Sequence, residues 1–159
     1  MKITLICVGR RGGLLDAAIT EYESRAGRYW SLEVVEVKEE RARKGMTEDQ
    51  VRDAEGERIL KRVSRGAELV ALTRRGDAWS SVRFARHLER HTVDGGANVV
   101  YVIGGAFGLS DGIIRESKRR MRLSTLTMPH DLARLVLLEQ LYRAGTIIRN
   151  EPYHKGDDE

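Results

Sequence analysis

The sequence predicts an α/β domain in which a mainly parallel sheet is flanked by helices, because short apolar segments alternate with longer segments of helical periodicity. A second observation supports this class. The apolar run at residues 99–103 stops at a pair of glycines, as buried strands do where open α/β sheets bind ligands. The chain has no internal repeat, linker or low-complexity segment, so the alternation describes one domain.

The first three elements lie in the N-terminal part of the chain. Residues 2–8 form an apolar run that is predicted to be a buried strand. Apolar residues then recur at helical spacing over residues 14–30. Residues 32–37 form a short segment rich in β-branched side chains, which predicts a second strand.

A capping-box pattern marks the start of the second helix. Thr47 and Gln50 have the required spacing, and Gly66 stands where the C-cap of a helix ending near residue 65 is expected. The remaining elements follow from apolar runs, Ser caps and Gly or Pro breaks. They are a strand at 67–72, a turn at 74–77, a helix at 81–91, a strand at 99–103, a helix at 111–120, a strand at 123–128 and a helix at 131–149.

A glycine turn follows the fourth strand. Gly104, Gly105 and Gly108 precede Ser110, which can open a helix. Glycine allows positive φ or close approach of a ligand to the main chain. The G-G-x-x-G order differs from the dinucleotide fingerprint, and the turn lacks the Gly-Lys-Ser/Thr ending of a phosphate loop. A ligand-binding turn and a purely structural turn both fit this pattern.

Length and composition indicate one domain over residues 1–155, with a tail at 156–159 expected to be disordered. No apolar run approaches the roughly 18 residues of a membrane span, so no membrane association is expected. Residues 1–9 lack the features of a secretory signal. The lone Cys7, expected in the core, excludes a disulfide within the chain, which fits a cytoplasmic location.

The charge pattern favours a polyanionic partner. The chain carries a formal net charge of +4, and its basic residues are clustered. The densest cluster lies between Arg115 and Arg122. Guanidinium groups pair with phosphates through two hydrogen bonds, so a nucleic-acid surface is one interpretation, and ordinary solvated helix faces are the other.

Two of the four histidines lie on one predicted helix, and the other two lie beside the last helix. His87 and His91 are four residues apart on a helix, as zinc ligands can be, but no further ligand cluster is evident and we expect no metal. His130 follows Pro129 before the last helix, and His154 belongs to a short motif near the end of the chain. That end could fold over a pocket or fray, as termini usually do.

The last helix is apolar around most of its circumference, which indicates burial on more than one side. A second copy of the chain could supply the additional contact surface. A central position within its own domain would explain the pattern equally well.

Four motifs occur together in an order and spacing that resemble one known family. They are Val102–Ser110 (VIGGAFGLS), Leu123–His130 (LSTLTMPH), Glu139–Ala144 (EQLYRA) and Pro152–Lys155 (PYHK). The chain is similar, over essentially its whole length, to the ribosomal RNA large subunit methyltransferase H family, which belongs to the SPOUT superfamily.

The resemblance implies a fold, an activity and partners. It implies a parallel sheet with a C-terminal trefoil knot, and S-adenosyl-L-methionine (SAM) as the cofactor. It also implies a homodimer that methylates N3 of a pseudouridine in 23S rRNA, within the large subunit or the whole ribosome, without a metal.

Candidate site residues follow from side-chain chemistry and from the resemblance. For catalysis or substrate contact the notable side chains are those whose chemistry suits RNA: His154 could be a general base or an RNA contact. Arg143 could bind a phosphate and Tyr153 could stack on a base, and His130 is the alternative if the tail is not part of the site. The resemblance itself assigns the cofactor contacts. It places the cofactor at Leu72, Gly104, Gly105, Gly108, Leu123, Ser124, Thr125, Leu126, Thr127 and Met128. Leucine and methionine side chains would give an adenine apolar walls, which agrees with this assignment.

Two other classes of function stay open at this stage. One is an RNA-binding protein that keeps the fold without the activity, and binding of SAM would argue against it. The other is a flavodoxin-like binder of a flavin or nucleotide, which an absence of affinity for FMN would exclude.

Overall fold

The computed structural model describes residues 1–93 and 95–156; the greater part of the tail expected to be disordered, residues 157–159, lies outside the described residues. Five strands and five helices are assigned, with a short 3-10 turn at Gly13–Leu15. The strands are β1 (Lys2–Val8), β2 (Ser31–Val37), β3 (Glu68–Ala78), β4 (Val99–Ile103) and β5 (Arg119–Arg122). The helices are α1 (Asp16–Ala26), α2 (Glu48–Leu60), α3 (Ser81–Val93), α4 (Asp111–Glu116) and α5 (His130–Ile148).

The five strands form one sheet in the order β2-β1-β4-β3-β5, and every neighbouring pair is parallel. All strands therefore start at one edge of the sheet, the amino edge, and finish at the opposite carboxyl edge. The central strand β4 is buried along its whole length. This explains its unbroken apolar sequence, since strands covered on both faces show no alternation. The predicted α/β class is confirmed.

Helices cover both faces of the sheet, as this architecture requires. On one face α1, α3 and α5 bury apolar residues such as Ile19, Leu88 and Leu138. On the other face α2 and α4 do the same with Ile59 and Ile113. Among residues 1–93 and 95–156, none of the helices combines the length and the apolar character that crossing a membrane would need.

Most predicted elements are found close to their expected positions. The capping box at the start of α2 is confirmed: the Gln50 backbone N–H donates to Thr47 Oγ1 (3.2 Å), and the Thr47 N–H donates to Gln50 Oε1 (2.9 Å). This helix ends at Leu60, earlier than expected. Gly66 does take a left-handed φ of +77°, but it does so in the turn that follows.

The prediction for the fifth strand was wrong. Residues 123–128 form an irregular loop, and the strand lies just before it at Arg119–Arg122. The prediction followed apolar content, whereas β5 is an edge strand that buries only Met121 between three arginines. Likewise, residues 74–77 are not a simple turn but part of β3, which resumes pairing with β5 after a register shift between Leu72 and Asp77.

Gly76 permits this irregular pairing. A Cβ atom at this position would lie 2.5 Å from the Met121 nitrogen and 2.7 Å from the Arg120 carbonyl carbon. Because both neighbours are backbone atoms of β5, no side-chain rotation could relieve the contact. The second part of β3 therefore approaches β5 closely only because residue 76 has no side chain.

We expect Gly76→Ala to lower the free energy of unfolding by about 1–3 kcal/mol, the usual cost of overpacking. The matched control is Gly12→Ala, where the backbone is extended (φ 174°) and no atom lies within 4 Å of the added Cβ. Urea unfolding measures both variants, and the control should change by less than about 0.5 kcal/mol. Equal stabilities of the two variants would contradict this account of β3.

Candidate functional site

The glycine turn closes tightly on itself at the carboxyl edge. The Gly108 N–H donates to the Gly105 carbonyl (3.0 Å), and Gly108 has a φ of +83°. A Cβ at Gly104 would lie 2.6 Å from the Gly108 carbonyl carbon. Gly108 is therefore needed for its backbone conformation and Gly104 for close packing of backbone on backbone.

Gly105 rests on a buried carboxylate. A Cβ there would lie 2.8 Å from Glu55 Oε2 and 3.0 Å from Val8 Cγ1. Glu55 is 4% exposed; its Oε1 accepts from the Glu40 N–H (3.0 Å), and its Oε2 has no hydrogen-bond partner among the described residues. Burial raises the pKa of Glu55 above its ordinary value.

Sequence reasoning missed Glu55 as a functional residue. The available signal was a carboxylate on the apolar face of α2, between Val51 and Ile59, both of which are buried. Burying a carboxyl group at such a position costs free energy unless hydrogen bonds satisfy it. Here the Glu55 carboxylate packs directly against Gly105 of the glycine turn.

The burial of Glu55 predicts a pH dependence of stability. Because the folded-state pKa lies above the unfolded value near 4.5, the folded protein binds the proton more tightly. This contribution is complete below the unfolded pKa and is lost as pH rises through the folded one. We expect the stability of the native protein relative to Glu55→Gln to decline from pH 4 upward, as measured by urea unfolding at a series of pH values. Parallel stability curves for the two proteins would refute the assignment.

The loop after β5 faces the glycine turn. In the sheet Leu72 pairs with Ile103 and with Met121, so the segments that follow these three residues lie together at the carboxyl edge. The loop residues Leu123–Met128 therefore leave the sheet at the same edge as Gly104, with β3 between the two strands that precede them. In the loop, the Leu126 N–H donates to Ser124 Oγ (2.9 Å), and the Leu126 side chain is 75% exposed.

His130 lies at the same edge, as the first residue of α5. Its Nε2 would be 3.7 Å from a Cβ on Gly9, which follows β1. Three large exposed apolar side chains, Leu14, Phe107 and Leu126, also follow strand ends there. An edge with apolar side chains exposed around a glycine turn is suited to contact with a ligand or a partner.

Arg143, Tyr153 and His154 form a separate cluster, which we call the tail cluster, together with Glu139 and Tyr22. The Tyr153 hydroxyl donates to Glu139 Oε1 (3.0 Å) and lies 3.4 Å from the Tyr22 hydroxyl. Arg143 Nη2 also donates to Glu139 Oε1 (2.5 Å). Burial and these hydrogen bonds raise the pKa of Tyr153, so the phenol stays protonated. Glu139 and Tyr22 were missed as site residues, although Glu139 precedes Arg143 by one helical turn.

The position of Arg143 fixes the tautomer of neutral His154. Arg143 Nη1 lies 3.3 Å from His154 Nδ1, and because a guanidinium can only donate, Nδ1 accepts. The ring proton is then on Nε2, which is buried and has no partner among the described residues. In this arrangement His154 Nε2–H is a hydrogen-bond donor, and the lone pair on Nδ1 already accepts from Arg143.

The tail cluster is remote from the glycine turn within one chain. Helix α5 starts at the carboxyl edge and runs back along the sheet. Tyr142 is 12 residues beyond His130, about 18 Å along the helix axis. Gly145 packs against Tyr29, which precedes β2 and thus lies near the amino edge. The structure places the residues predicted to contact the cofactor and His130 at one edge of the sheet, and it holds Arg143, Tyr153 and His154 apart from them.

Comparisons with known proteins define the class. A family model described as "Predicted SPOUT methyltransferase" matches residues 1–154. A solved methyltransferase from Legionella pneumophila in complex with SAM is similar in structure, with a TM-score of 0.52 and 13% identity, over 91% of this chain and 66% of that chain. This likeness concerns the fold. The match defines a SPOUT methyltransferase, a class that implies the knotted α/β sheet.

Relatives at higher identity specify the family. Proteins called ribosomal RNA large subunit methyltransferase H are 46% identical in Gemmatimonas aurantiaca (98% of this chain, 100% of the relative) and 45% identical in Syntrophotalea carbinolica (97% and 99%). The one from Anaeromyxobacter is 47% identical (98% and 100%). The chain belongs to the ribosomal RNA large subunit methyltransferase H family, as its motifs predicted.

Proposed function

We propose that this protein is a SAM-dependent methyltransferase that modifies N3 of a pseudouridine in 23S rRNA, within the large subunit or the assembled ribosome in the cytoplasm. The observation that carries the proposal is the glycine turn at Gly104–Gly108, which faces the loop Leu123–Met128 at the carboxyl edge in a chain of this family. Arg74 and Arg75 are exposed after the first part of β3 and add positive charge for RNA phosphates.

The residues present fit this cofactor. At Gly104 and Gly105 the position of a Cβ is already filled by the Gly108 backbone and by the Glu55 carboxylate, so the shape of the turn that would receive the cofactor requires both glycines. Leu72, Leu123 and Leu126 offer apolar surface for an adenine. When bound, SAM supplies an electrophilic methyl group on a positively charged sulfur.

The reaction is a displacement at the methyl carbon. The pseudouridine N3 forms a bond to this carbon while the carbon–sulfur bond breaks, and the N3 proton is lost. The protein contributes mainly by holding the two reactants in line. We assign uptake of the proton to His130 or to solvent, because His130 lies beside the cofactor loop and its side chain is exposed.

The tail cluster serves RNA binding in this proposal. The His154 Nε2–H is a buried donor that lacks a partner among the described residues, and a Cβ on Gly156 would lie 3.2 Å from this nitrogen, so we propose that Gly156 moves aside when Nε2–H donates to RNA. Arg143 is held by Glu139 and His154, so it orients the imidazole. The half-buried Tyr153 ring can stack on a base, worth about 1–3 kcal/mol.

We further propose that the protein acts as a homodimer in which the tail cluster of one copy completes the cofactor half of the other. Three observations support this. The two halves are separated within one chain by the length of α5. Apolar side chains are exposed at the carboxyl edge. Several apolar residues of α5, among them Leu132, Leu135 and Val136, are only half-buried in a single chain.

The activity is tested by transfer of labelled methyl groups from SAM to ribosomes lacking the modification, with mass spectrometry of the 23S rRNA. We expect Gly104→Ala to weaken SAM binding by at least tenfold, about 1.4 kcal/mol, because the added methyl must displace Gly108 backbone. The control Gly112→Ala lies in α4, where the added Cβ would make only an ordinary contact with Ser110 Oγ (3.7 Å), and this variant should bind SAM normally. Failure of the native protein to methylate either 23S rRNA or ribosomes would refute the function.

The shared site is tested by complementation between two inactive variants. Gly104→Ala impairs the cofactor half, and a chain ending at Asn150 lacks the tail. Co-expression places both variants in half of the dimers, and each mixed dimer has one intact site, so we expect about one quarter of native activity. If each chain built its own site, the mixture would stay inactive. Light scattering should give twice the 18.0 kDa chain mass for the native protein.

A further inference from the structure

A second group of chemically active side chains lies at the amino edge, away from the glycine turn. Glu68 is the first residue of β3, and His87 and His91 face it from α3. His87 Nε2 lies 3.2 Å from Glu68 Oε1, and His91 Nε2 lies 3.3 Å from Glu68 Oε2. All three ligand atoms lie within 4.8 Å of one another. No third ligand lies near the two histidines in the sequence. In the folded chain Glu68, at the start of β3, takes that place.

The hydrogen bonds around His91 direct a lone pair toward Glu68. His91 Nδ1 lies 3.2 Å from the Ala97 carbonyl, which can only accept, so Nδ1 carries a proton. In neutral His91, Nε2 is then an unprotonated nitrogen facing a carboxylate oxygen. Histidines that ligate metals almost always donate their other N–H in this way, to a carbonyl or a carboxylate.

The Nε2 atom of His87 also lies beside the Glu68 carboxylate, and it has no hydrogen-bond partner among the described residues. The His87 side chain is 3% exposed. The Glu68 carboxylate therefore meets an imidazole nitrogen from each of His87 and His91 in a largely buried space, an arrangement that a cation would satisfy.

We propose that Glu68, His87 and His91 bind a zinc ion. Zinc–nitrogen bonds of 2.0–2.1 Å in a tetrahedron separate neighbouring ligand atoms by about 3.3–3.4 Å. The observed nitrogen–oxygen separations of 3.2 and 3.3 Å have that length, but they end on different oxygens of Glu68, so binding would involve a rotation of the carboxylate toward the ion. The group borders a cavity of about 550 Å³, which leaves the fourth coordination position to a water molecule. Imidazole and carboxylate together are typical zinc ligands.

Two basic residues at Glu68 have opposite roles in this proposal. Arg119 Nε donates to Glu68 Oε1 (2.7 Å) and would remain as the outer partner that holds the ligating carboxylate. Lys118 Nζ lies 3.6 Å from Oε2, and its side chain is 71% exposed. Lys118 competes with the metal for Oε2 and can swing into solvent when the ion binds. Arg90 also lines the cavity and adds repulsion that any bound cation must overcome.

The test is titration of the chelator-treated, desalted protein with Zn²⁺ against a chromophoric competitor. We expect one ion per chain, and Co²⁺ in its place should give the intense visible absorption of tetrahedral coordination. Glu68→Gln and His91→Ala should each weaken binding at least about 100-fold, beyond the usual cost of losing an outer partner. Lys118→Met should strengthen binding about two- to fivefold, the range a surface ion pair is worth.

His130→Ala is the matched control, because its imidazole is exposed at the opposite edge and should not affect the affinity for Zn²⁺. His91→Ala keeps the test valid if Glu68→Gln fails to fold, since His91 lies at the cavity wall and not in the core. A native Kd weaker than about 10 µM would overturn the proposal. So would equal affinity in the native protein and His91→Ala. Methyl transfer is a separate measurement, so either result leaves the proposed function intact.

Discussion

The arrangement of the whole site depends on how Arg134 fixes the start of α5. The Arg134 side chain is 4% exposed, and it donates to Glu36 Oε1 (2.7 Å) on β2 and to Glu23 Oε1 (2.8 Å) on α1. Burial opposes the charged guanidinium, but the two carboxylates outweigh it and raise its pKa. Removing one member of this group would leave the others buried without a partner of opposite charge. The three side chains therefore hold α5 in one orientation against β2 and α1.

That docking determines which residues can meet. Arg134 is one helical turn beyond His130, so the same ion pairs fix the end of the loop Leu123–Met128 at the carboxyl edge. A helix of 19 residues extends about 28 Å, and α5 therefore delivers the chain end to the opposite side of the domain. Unless α5 were broken, one chain could not place the tail cluster beside its own glycine turn. The proposed sharing of the site between two copies rests on this length.

The sequence predicted those parts of the molecule that depend on local patterns. The strand β4, the capping box at Thr47 and the helix α5 come from apolar runs, spacing and caps, and all were found. The strand β5 was misplaced because an edge strand with three arginines has no apolar pattern to detect. Glu68 could not be connected to His87 from sequence, since only the packing of α3 against the amino edge brings them together. The motifs indicated the family, but the separation of the tail cluster from the glycine turn within one chain depends on the direction of α5.

Residues 150–154 are fixed by contacts with the body of the domain, although termini usually fray. After α5, Asn150 takes a left-handed φ of 54°, and the Glu151 N–H donates back to the Thr146 carbonyl (2.9 Å). Glu151 then accepts from the Tyr29 hydroxyl, and the Tyr153 ring packs 4.6 Å, centroid to centroid, from that of Tyr142.

A tail held in this way has lost its conformational freedom during folding, so little entropy remains to be lost when RNA binds. The termini of most domains are poorly ordered unless something fixes them. Here Tyr29, which follows α1, and Tyr142 of α5 do so, and the ring of His154 is therefore held in place in the free protein.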